Sequence, residues 1–374
     1  MEVIIKEVKN KKDLKSFISF PYKLYKGNKY WIPQLNTDEM NLFIPARNPA
    51  FEFCEAKQWL AYMNGEVVGR IAGIINHRFI EKWQDKFCRF GWIDFIDDES
   101  VSKALLDTVE NWAKAKGLSA VHGPLGFTDL DPEGMLIEGF TEQSTIATIY
   151  NYPYYPEHLA RLGYIKDIDW MEYEITIPDK VPERIVRIAQ IVQKKNKLKI
   201  LHAKKIKELK PYFYDVFEVL NNSYKDLYGF IPLSEKQITK YIKQYISFAN
   251  PDYINIIVDE NNKVAAFGLT FPSLSKAFQK AKGSLFPFGF IHILNALKNN
   301  NLIDLYLIAV RPDLQSKGVN ALILRELINS YINHKFVKAE TNPELENNIK
   351  VQDQWKFFDR RQHKRRRCFI KHFE

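Results

Sequence analysis

The segment from Leu302 to Leu322 joins an apolar strand to a helix through a polar turn that contains one glycine. Pro312 ends the strand because proline has no amide hydrogen to donate. The first N–H groups of the helix beyond the turn lack intrahelical acceptors and lie at the positive end of the helix dipole. Gly318 allows close backbone approach, and Lys317 adds a positive charge. The pattern therefore predicts an anion site suited to phosphate.

The elements that must position this turn are predicted in the same order in both halves of the chain. In the second half, an antiparallel hairpin at 254–271 precedes a strand at 302–310, a helix at 318–334 and a strand at 336–340. The first half repeats this order, beginning with a hairpin at 58–75. Helices that alternate with strands after a hairpin predict a mixed sheet covered on both faces.

The best linker in the chain is PDKVPER, residues 178–184, which holds two prolines among charged residues. Proline removes a backbone donor and biases the residue before it away from helix, so this segment interrupts regular structure. The predicted domains are therefore 1–177 and 185–374, joined by this linker.

The amino-acid composition limits the classes of protein to which the chain can belong. The chain has 374 residues, of which 46% are hydrophobic and 26% are charged, so it is predicted to be globular rather than disordered. Its longest uncharged apolar stretch, 283–297, is shorter than the roughly 20 residues that a bilayer span needs. Three widely spaced cysteines cannot build a disulfide framework. We therefore expect a cytoplasmic protein with no membrane partner.

The charge differs between the two halves. Residues 1–175 carry 20 Lys and Arg against 26 Asp and Glu, a net of −6, whereas 176–374 carry the remaining 34 and 19, a net of +15. An anionic partner is therefore expected to meet the second half.

The strand and turn of the second half resemble the GNAT superfamily of acetyltransferases, whose pyrophosphate loop reads Gln/Arg-x-x-Gly-x-Gly/Ala after a strand ending in Val-x-Pro. Gln315 and Gly318 fit the loop, Val310 and Pro312 fit the strand end, and Asn320 stands where Gly or Ala is usual. The resemblance implies an α/β fold of two GNAT-like domains, each a mixed, mostly antiparallel twisted sheet flanked by helices. The matching turn of the first half, FIDDESVSKALL, has three acids and no glycine, so that copy is interpreted as degenerate.

The resemblance also implies acetyl-CoA or another acyl-CoA as co-substrate. It would lie in a V-shaped gap where strand 305–310 parts from the strand near 337–340, and backbone groups of Ile308 and Val310 would pair with the pantetheine amides. The other implied cofactor contacts are Gln315, Ser316, Lys317, Gly318, Val319, Asn320 and, at the start of the next helix, Asn348 or its neighbour Asn347.

By the same resemblance, the chain would move an acetyl or acyl group from a CoA thioester to a primary amine of a small molecule or peptide. Such transfer depends mainly on positioning and oxyanion stabilisation, and a base must first deprotonate the ammonium group. Asp304 stands where lysine-directed members carry a Glu, and Glu340 on the next strand is the second candidate. The helix that usually supplies a Tyr general acid reads NNIKVQDQWKFFD and contains none.

Two other functions stay open. The missing tyrosine and Asn320 are compatible with a non-catalytic acyl-CoA-binding or interaction protein. The duplicated architecture also resembles transferases that add amino acids from aminoacyl-tRNA to cell-wall precursors. This third reading ranks lower because those proteins do not depend on the Gln-x-x-Gly loop.

The basic run 360–367, RRQHKRRR, is interpreted as a solvated turn before the last strand. A contact with the CoA 3′-phosphate or substrate is the first alternative, and nucleic acid is disfavoured because no aromatic residues interleave with the run. His363, Cys368 and His372 do not offer four convergent ligands, so no metal is predicted. Segment 273–301 is either a binding element that lines an apolar acceptor or acyl pocket, or a helix packed on the core.

Overall fold

The computed structural model describes residues 2–246 and 249–374. The strands are β1 (Ile4–Glu7), β2 (Cys54–Met63), β3 (Glu66–Asn76), β4 (Phe87–Phe95), β5 (Ala120–Gly123), β6 (Met135–Glu138), β7 (Ile165–Thr176), β8 (Lys199–Leu201), β9 (Ile254–Val258), β10 (Val264–Pro272), β11 (Leu302–Val310), β12 (Lys338–Thr341), β13 (Glu344–Leu345) and β14 (Arg360–His372).

The helices are α1 (Lys11–Leu24), α2 (Asn36–Leu42), α3 (His77–Trp83), α4 (Glu99–Ala115), α5 (Tyr154–Arg161), α6 (Glu183–Lys195), α7 (Ile206–Leu209), α8 (Phe213–Tyr224), α9 (Glu235–Ile246), α10 (Ser275–Ala281), α11 (Gly289–Lys298), α12 (Asn320–Asn333) and α13 (Ile349–Gln352). Among these described helices, none combines the length and apolar character that crossing a bilayer demands.

The chain divides into two compact units. The first comprises Met1–Met171, Leu274–Ala296 and His363–Glu374, and the second comprises Glu172–Ser273 and Leu297–Gln362. These units differ from the predicted domains, 1–177 and 185–374 with the linker 178–184, because two segments of the second half belong with the first unit. One of them contains α10 and most of α11, and the other is the greater part of β14. Independent folding of the two predicted domains stays a prediction.

The first unit contains a sheet with the strand order β1-β2-β3-β4-β5-β14. Strands β4 and β5 are parallel, and the other neighbours are antiparallel. Side chains of β3 alternate between two apolar clusters, as the pleat requires. Ile71 and Ile75 join the cluster formed with α4 and α5, whereas Ala72 and Ile74 join the cluster formed with α1. Helices therefore cover both faces of this sheet.

The second unit contains a sheet with the order β7-β12-β11-β10-β9-β8. Strands β11 and β12 are parallel, and the other neighbours are antiparallel. Gly268 of β10 faces α12, where a Cβ would press against Ile323 and Leu327. Its neighbours Phe267 and Leu269 face the opposite way, toward α8 and α9. A mixed, mostly antiparallel sheet with helices on both faces confirms the predicted fold class for each unit.

The interpretation of the basic run as a solvated turn is wrong, because residues 360–367 lie in β14. Within the first unit, Lys364 and Arg366 are almost wholly buried, and they donate to the carbonyl oxygens of Gln143 and Ile149 respectively. The strand alternates its side chains, so the neighbouring arginines of the run face the other way. The charge of this segment is therefore largely satisfied within the protein.

Asp169 accepts hydrogen bonds from both of those outward arginines, Arg365 at 2.8 Å and Arg367 at 2.7 Å and 3.0 Å. Its side chain is fully buried. Burial alone would raise the pKa of this carboxyl, but the Arg367 hydrogen bond and the charges of Arg367, Lys166 and Arg365 lower it overall. The ionised form is therefore the one that the fold stabilises.

Replacing Asp169 by asparagine is expected to lower the free energy of unfolding by about 3 kcal/mol, because two guanidinium groups lose their buried counter-charge. Urea unfolding at neutral pH measures the change. A lowered native pKa stabilises the fold above the unfolded pKa and ceases to do so as acid protonates the native carboxyl, so the variant should also show a weaker acid dependence. The exposed Asp179→Asn is the matched control. Equal stability of the two variants would contradict the prediction.

Candidate functional site

Strands β11 and β12 of the second unit pair over four residues and then part. The register runs from Leu302 opposite Lys338 to Leu305 opposite Thr341. Beyond that point β11 continues to Val310, paired with β10 alone. The backbone N–H of Asn342 donates to the Leu305 carbonyl at 3.1 Å, and its side-chain amide donates to the Tyr306 carbonyl at 3.2 Å. A gap therefore opens beside the second half of β11.

The backbone of Ile308 and Val310 points into this gap. The Arg311 amide donates to the Ala265 carbonyl on β10, which sets the alternation of the antiparallel ladder. Ile308 and Val310 are therefore the residues whose N–H and C=O groups turn away from β10. Their carbonyls are occupied, however, because Tyr224 donates to Ile308 at 2.9 Å and Ser223 donates to Val310 at 2.8 Å. Pairing of this backbone with pantetheine stays a prediction, and it now falls on the N–H groups.

The turn between β11 and α12 presents unused backbone donors. Ser316 and Gly318 adopt positive φ angles of 59° and 81°, so α12 begins only at Asn320 rather than at the predicted position 318. In the described part of the chain, the N–H groups of Ser316, Gly318, Val319 and Asn320 donate to no backbone carbonyl. Lys317 is exposed beside them. The arrangement has the donors that a phosphate group requires.

Gln315 and Gly318 shape this turn in different ways. The Gln315 side-chain amide donates to the Val310 carbonyl at 3.1 Å, so this residue holds the turn against its own strand. Gly318 lies against α6, where an added Cβ would come within 3.2 Å of methyl groups of Ile188 and Val192. Its positive φ is also one that other residues rarely adopt. Close packing and backbone conformation therefore both require glycine at this position.

The two predicted bases lie side by side in the paired part of the strands. Asp304 is opposite Glu340 in the parallel register, so their side chains share one face of the sheet. They are 1% and 8% exposed, which places both carboxylates inside the fold rather than in the open part of the gap. Glu340 is also opposite Glu174 of β7, which accepts from Lys338 at 2.9 Å. Their role as bases stays a prediction.

A third acid, Glu344 on β13, was missed because no sequence motif marks it. Its Oε1 accepts from the Trp355 indole at 2.7 Å, whereas its Oε2 is buried and has no hydrogen-bond partner among the described residues. Burial raises the pKa of this carboxyl to about 7, although the Trp355 hydrogen bond and the charge of Arg360 oppose the rise. A carboxyl that titrates near neutral pH is suited to general base work.

Tyr224, at the end of α8, is the second residue that sequence reasoning missed. It is separated from Ile308 by 84 positions, yet its hydroxyl donates to the Ile308 carbonyl inside the gap. Burial raises the pKa of this phenol to about 12, and the charge of Glu344 adds to the rise. The second unit therefore places a tyrosine hydroxyl and a neutral-range carboxyl near one gap, although the predicted helix contains no tyrosine.

The predicted helix 348–358 is mostly not α-helical. Helix α13 spans one turn, and a 3₁₀ segment follows at Asp353–Phe357. Asn348 precedes α13, and its side chain makes no capping hydrogen bond. Its predicted contact with the cofactor stays a prediction.

An apolar cavity of about 40 Å³ lies under α8 and α9, against strands β9, β10 and β11. Its walls include Phe217, Phe271 and Leu307. Leu307 directly precedes Ile308, so the cavity adjoins the strand that borders the gap. No polar surface lines it.

Segment 273–301 does not line this apolar cavity. Helix α10 is packed, with Ala277 and Phe278 buried, whereas Phe286 and Phe288 of the following loop are 77% and 69% exposed. The alternative of a helix packed on the core therefore describes α10, and the two exposed phenylalanines do not line the apolar cavity.

One group of metal-ligand types comes together in the first unit. Donor atoms of His122, Asp167 and Cys368 lie within 4.8 Å of one another. Burial lowers the pKa of His122, as does the positive charge of Arg89, although Asp167 opposes the shift. A guanidinium beside the group disfavours a divalent cation by like-charge repulsion. Together with the ring packing of Phe79 on His122, this favours a structural cluster.

Each unit thus contains a parallel strand pair that separates partway along, within a mixed sheet flanked by helices. The chain has a tandem GNAT fold. It superposes on a tandem GNAT protein from the clavulanic acid biosynthesis pathway with a TM-score of 0.56 and 12% identity, covering 99% of this chain and 98% of that one. It also superposes on the GCN5-related glucosamine N-acetyltransferase region of a fungal multi-domain GH3 β-N-acetylglucosaminidase, with a TM-score of 0.55 and 12% identity, covering 99% of this chain and 38% of that one.

Sequence comparison finds relatives among curated proteins. The chain is 29% identical over 330 residues to Protein YghO of Escherichia coli (strain K12), which covers 87% of this chain and 83% of that protein. It is 28% identical over 301 residues to the bacterial ceramide synthase of Caulobacter vibrioides, which covers 78% of this chain and 75% of that protein. No protein-family model matches the chain.

Proposed function

We propose that the second unit binds an acyl-CoA and that the protein transfers the acyl group to a primary amine. The observation that carries the proposal is the parting of β11 and β12 beside a turn whose N–H groups, at Ser316 and at 318–320, have no backbone acceptor. A pyrophosphate would accept from these N–H groups and lie near the Lys317 ammonium. The thioester would then extend along the gap beside Ile308.

Acyl transfer to an amine needs one general base and a group that can return one proton to the CoA sulfur. The ammonium group of the acceptor loses a proton, and its nitrogen forms a bond to the thioester carbonyl carbon. Collapse of the tetrahedral intermediate breaks the carbon–sulfur bond and releases the CoA thiolate. The nitrogen loses a second proton, and the thiolate gains one, so the products are an amide, a CoA thiol and one released proton.

Glu344 is the base that we propose, ahead of Asp304 and Glu340. Its pKa is about 7, near neutrality, and its charge helps to raise the pKa of the Tyr224 hydroxyl at the gap. Asp304 and Glu340 lie in the closed, paired part of the strands. Tyr224 is the corresponding candidate to return a proton to the thiolate, in place of the tyrosine that the predicted helix lacks.

The acyl donor is proposed to be a long-chain acyl-CoA. The cavity beside Leu307 has an apolar lining, and at about 40 Å³ it would hold only part of such an acyl chain unless the side chains around it rearrange. A ceramide synthase, as one relative is named, makes the N-acyl amide of a long-chain amino alcohol. The acceptor proposed for this chain is therefore a small-molecule amine of that class. The cytoplasm is the proposed compartment, since Cys54, Cys88 and Cys368 are buried and form no disulfide with one another.

Release of CoA thiol tests the proposal. Purified protein is incubated with palmitoyl-CoA or acetyl-CoA, together with sphinganine or its deaminated long-chain diol, and free thiol is followed over time. We expect release only when an amine is present, faster with palmitoyl-CoA, and an amide product by mass spectrometry. Equal release with the diol would indicate hydrolysis and contradict amine transfer.

A non-catalytic acyl-CoA-binding protein is the second candidate. The observation that favours it is the burial of Asp304 and Glu340 away from the open gap. Saturable binding of CoA, with no thiol release for any combination of acyl-CoA donor and amine acceptor, would support a non-catalytic binding function. The aminoacyl-tRNA reading gains nothing from the basic run, because Lys364, Arg366 and the Asp169 partners are engaged within the fold.

A further inference from the structure

The first unit contains a cavity of about 100 Å³ beside the place where its own parallel strands separate. Strand β4 pairs with β5 only over Phe87–Arg89, and the cavity lies against the later residues Trp92–Asp94 of β4. The remaining walls come from α1, α2, α5 and β3, from the segment between α1 and α2, and from residues within 124–151. A cavity of this volume holds roughly four to six non-hydrogen atoms, by comparison with a benzene-binding cavity of about 150 Å³.

The one arginine on the cavity wall is already neutralised. Arg70 contacts Asp94 at 2.7 Å through both Nε and a terminal nitrogen, and it donates to the Phe17 carbonyl at 3.0 Å. The other oxygen of Asp94 accepts from the Tyr25 hydroxyl at 2.8 Å and from the Tyr155 hydroxyl at 3.3 Å. This pair therefore offers a ligand little net charge and few free hydrogen-bonding positions.

Two acceptors on α2 also face the cavity. Glu39 is half-buried and accepts from the Trp92 indole through Oε2 at 2.9 Å, and a carboxylate can accept further hydrogen bonds beyond this one. Asn36 lies three positions earlier, one helical turn away, and its side-chain oxygen is buried without a hydrogen-bond partner in the described structure. Buried polar atoms normally have a partner, so the Asn36 oxygen, together with the remaining acceptor capacity of the Glu39 carboxyl, indicates that a donor enters from the cavity.

The charges around Glu39 indicate that the entering donor is a cation. Burial raises the pKa of the Glu39 carboxyl, and the charges of Asp131 and Asp94 add to this, although Arg70 and the Trp92 hydrogen bond oppose it. An incoming cation would favour the ionised form of Glu39 by pairing with it. Aromatic rings of Trp92 and Trp31 line the same cavity and favour a cation over an anion.

The cavity wall is braced by segment 274–296, whose role the sequence left open. The Gln279 amide donates to the carbonyls of Lys29 and Trp31, at 3.0 Å and 3.1 Å. The Gly283 carbonyl accepts from the Asn36 N–H at 2.9 Å. Gly283 also packs so closely on Tyr22 that a Cβ would collide with the tyrosine hydroxyl. These contacts fix the chain that leads into α2 and the backbone of Asn36 itself.

We propose that the first unit binds a small molecule carrying a primary ammonium group, with Glu39 and Asn36 as its acceptors and the tryptophan rings around its carbon atoms. The ligand class is a primary amine of a few non-hydrogen atoms, or the amine end of a larger molecule, as the volume of the cavity requires. The proposal gives the degenerate copy a binding site of its own. It does not depend on acyl transfer by the second unit.

Ligand-detected NMR titration of the full-length protein tests this without CoA. The probes are ethanolamine and 2-amino-1,3-propanediol, their neutral counterparts are ethylene glycol and glycerol, and glycolate is the anionic counterpart. We expect the amines to bind at least about tenfold more tightly than the neutral probes, because a charge-assisted hydrogen bond to a carboxylate forms. Glycolate is expected not to bind.

Glu39→Gln keeps the shape of the side chain and should reduce amine affinity to that of the neutral probes. The matched control is Glu81→Gln, an exposed position outside the cavity wall, which should leave affinity unchanged. Unaltered amine binding by Glu39→Gln, tighter binding of glycolate, or no binding of either amine would each overturn the proposal. Since CoA is absent, none of these results bears on the acyl-transfer site.

Discussion

Replacing Gly318 by aspartate is expected to weaken CoA binding by about two orders of magnitude or more, because a like charge would face the pyrophosphate. The residue lies among the turn N–H groups that have no backbone acceptor, and its φ of 81° disfavours other side chains. Isothermal calorimetry with CoA measures the loss directly. Acyl transfer by the variant should fall with the affinity, since the phosphate contacts position the thioester.

Gly318→Asn separates charge from size in this experiment. Asparagine tolerates positive φ better than most residues, and it matches aspartate in volume. Both substitutions press on Ile188 and Val192, so their thermal unfolding should agree. We expect the neutral variant to bind CoA more tightly than the charged one. Full affinity in a folded Gly318→Asp protein would mean that CoA does not bind at this turn.

Glu344→Gln is expected to lower kcat by about 10²- to 10⁴-fold, the usual contribution of a general base. In the wild-type protein, kcat/KM should rise with pH and level off above about 7, where this carboxyl becomes ionised. The variant should lose that rise and retain CoA affinity. The rate measured from pH 5.5 to 9 with saturating donor provides the profile. Glu346→Gln, two positions along the chain, is the matched control.

The raised pKa of Glu344 also leads to an independent prediction about the free energy of unfolding. Its native pKa is raised from about 4.5 to about 7, so the folded protein holds this proton more tightly than the unfolded chain does. The resulting stabilisation is complete below the unfolded pKa and disappears as pH rises through the native one. The free energy of unfolding should therefore decline between pH 4.5 and about pH 7 in the wild-type protein, and decline less in Glu344→Gln.

If the rise of kcat/KM with pH persists in Glu344→Gln, the base is another residue.

The sequence alone predicted the elements that are determined by neighbouring residues in the chain. The strand 302–310 was predicted with the bounds that the structure has, because an apolar run ends at a proline. The turn and the following helix came from the glycine and the amphipathic pattern, with the helix start misplaced by two residues. The error arose because Gly318 shapes the turn through its positive φ and does not belong to the helix.

What the sequence did not reveal depends on contacts between distant positions. The arginines of β14 suggested a solvated turn because their acceptors, such as Asp169 and the Gln143 carbonyl, lie about 200 residues away. Tyr224 and Glu344 belong to no motif, and only the folded second unit brings them toward Ile308. The cavity of the first unit is likewise assembled from helix, strand and loop residues that show no common pattern.

The assignment of β14 to the first unit has a consequence for biosynthesis. Residues Phe369–His372 pair with β5, and Arg365–Arg367 pair with β6 and hold Asp169. The ribosome makes this strand roughly 200 residues after most of the unit it completes. The nascent first unit must therefore wait, with an open sheet edge and an uncompensated acid, while the entire second unit is translated. Holdase chaperones, rather than the intrinsic speed of folding, are expected to limit its yield during that interval.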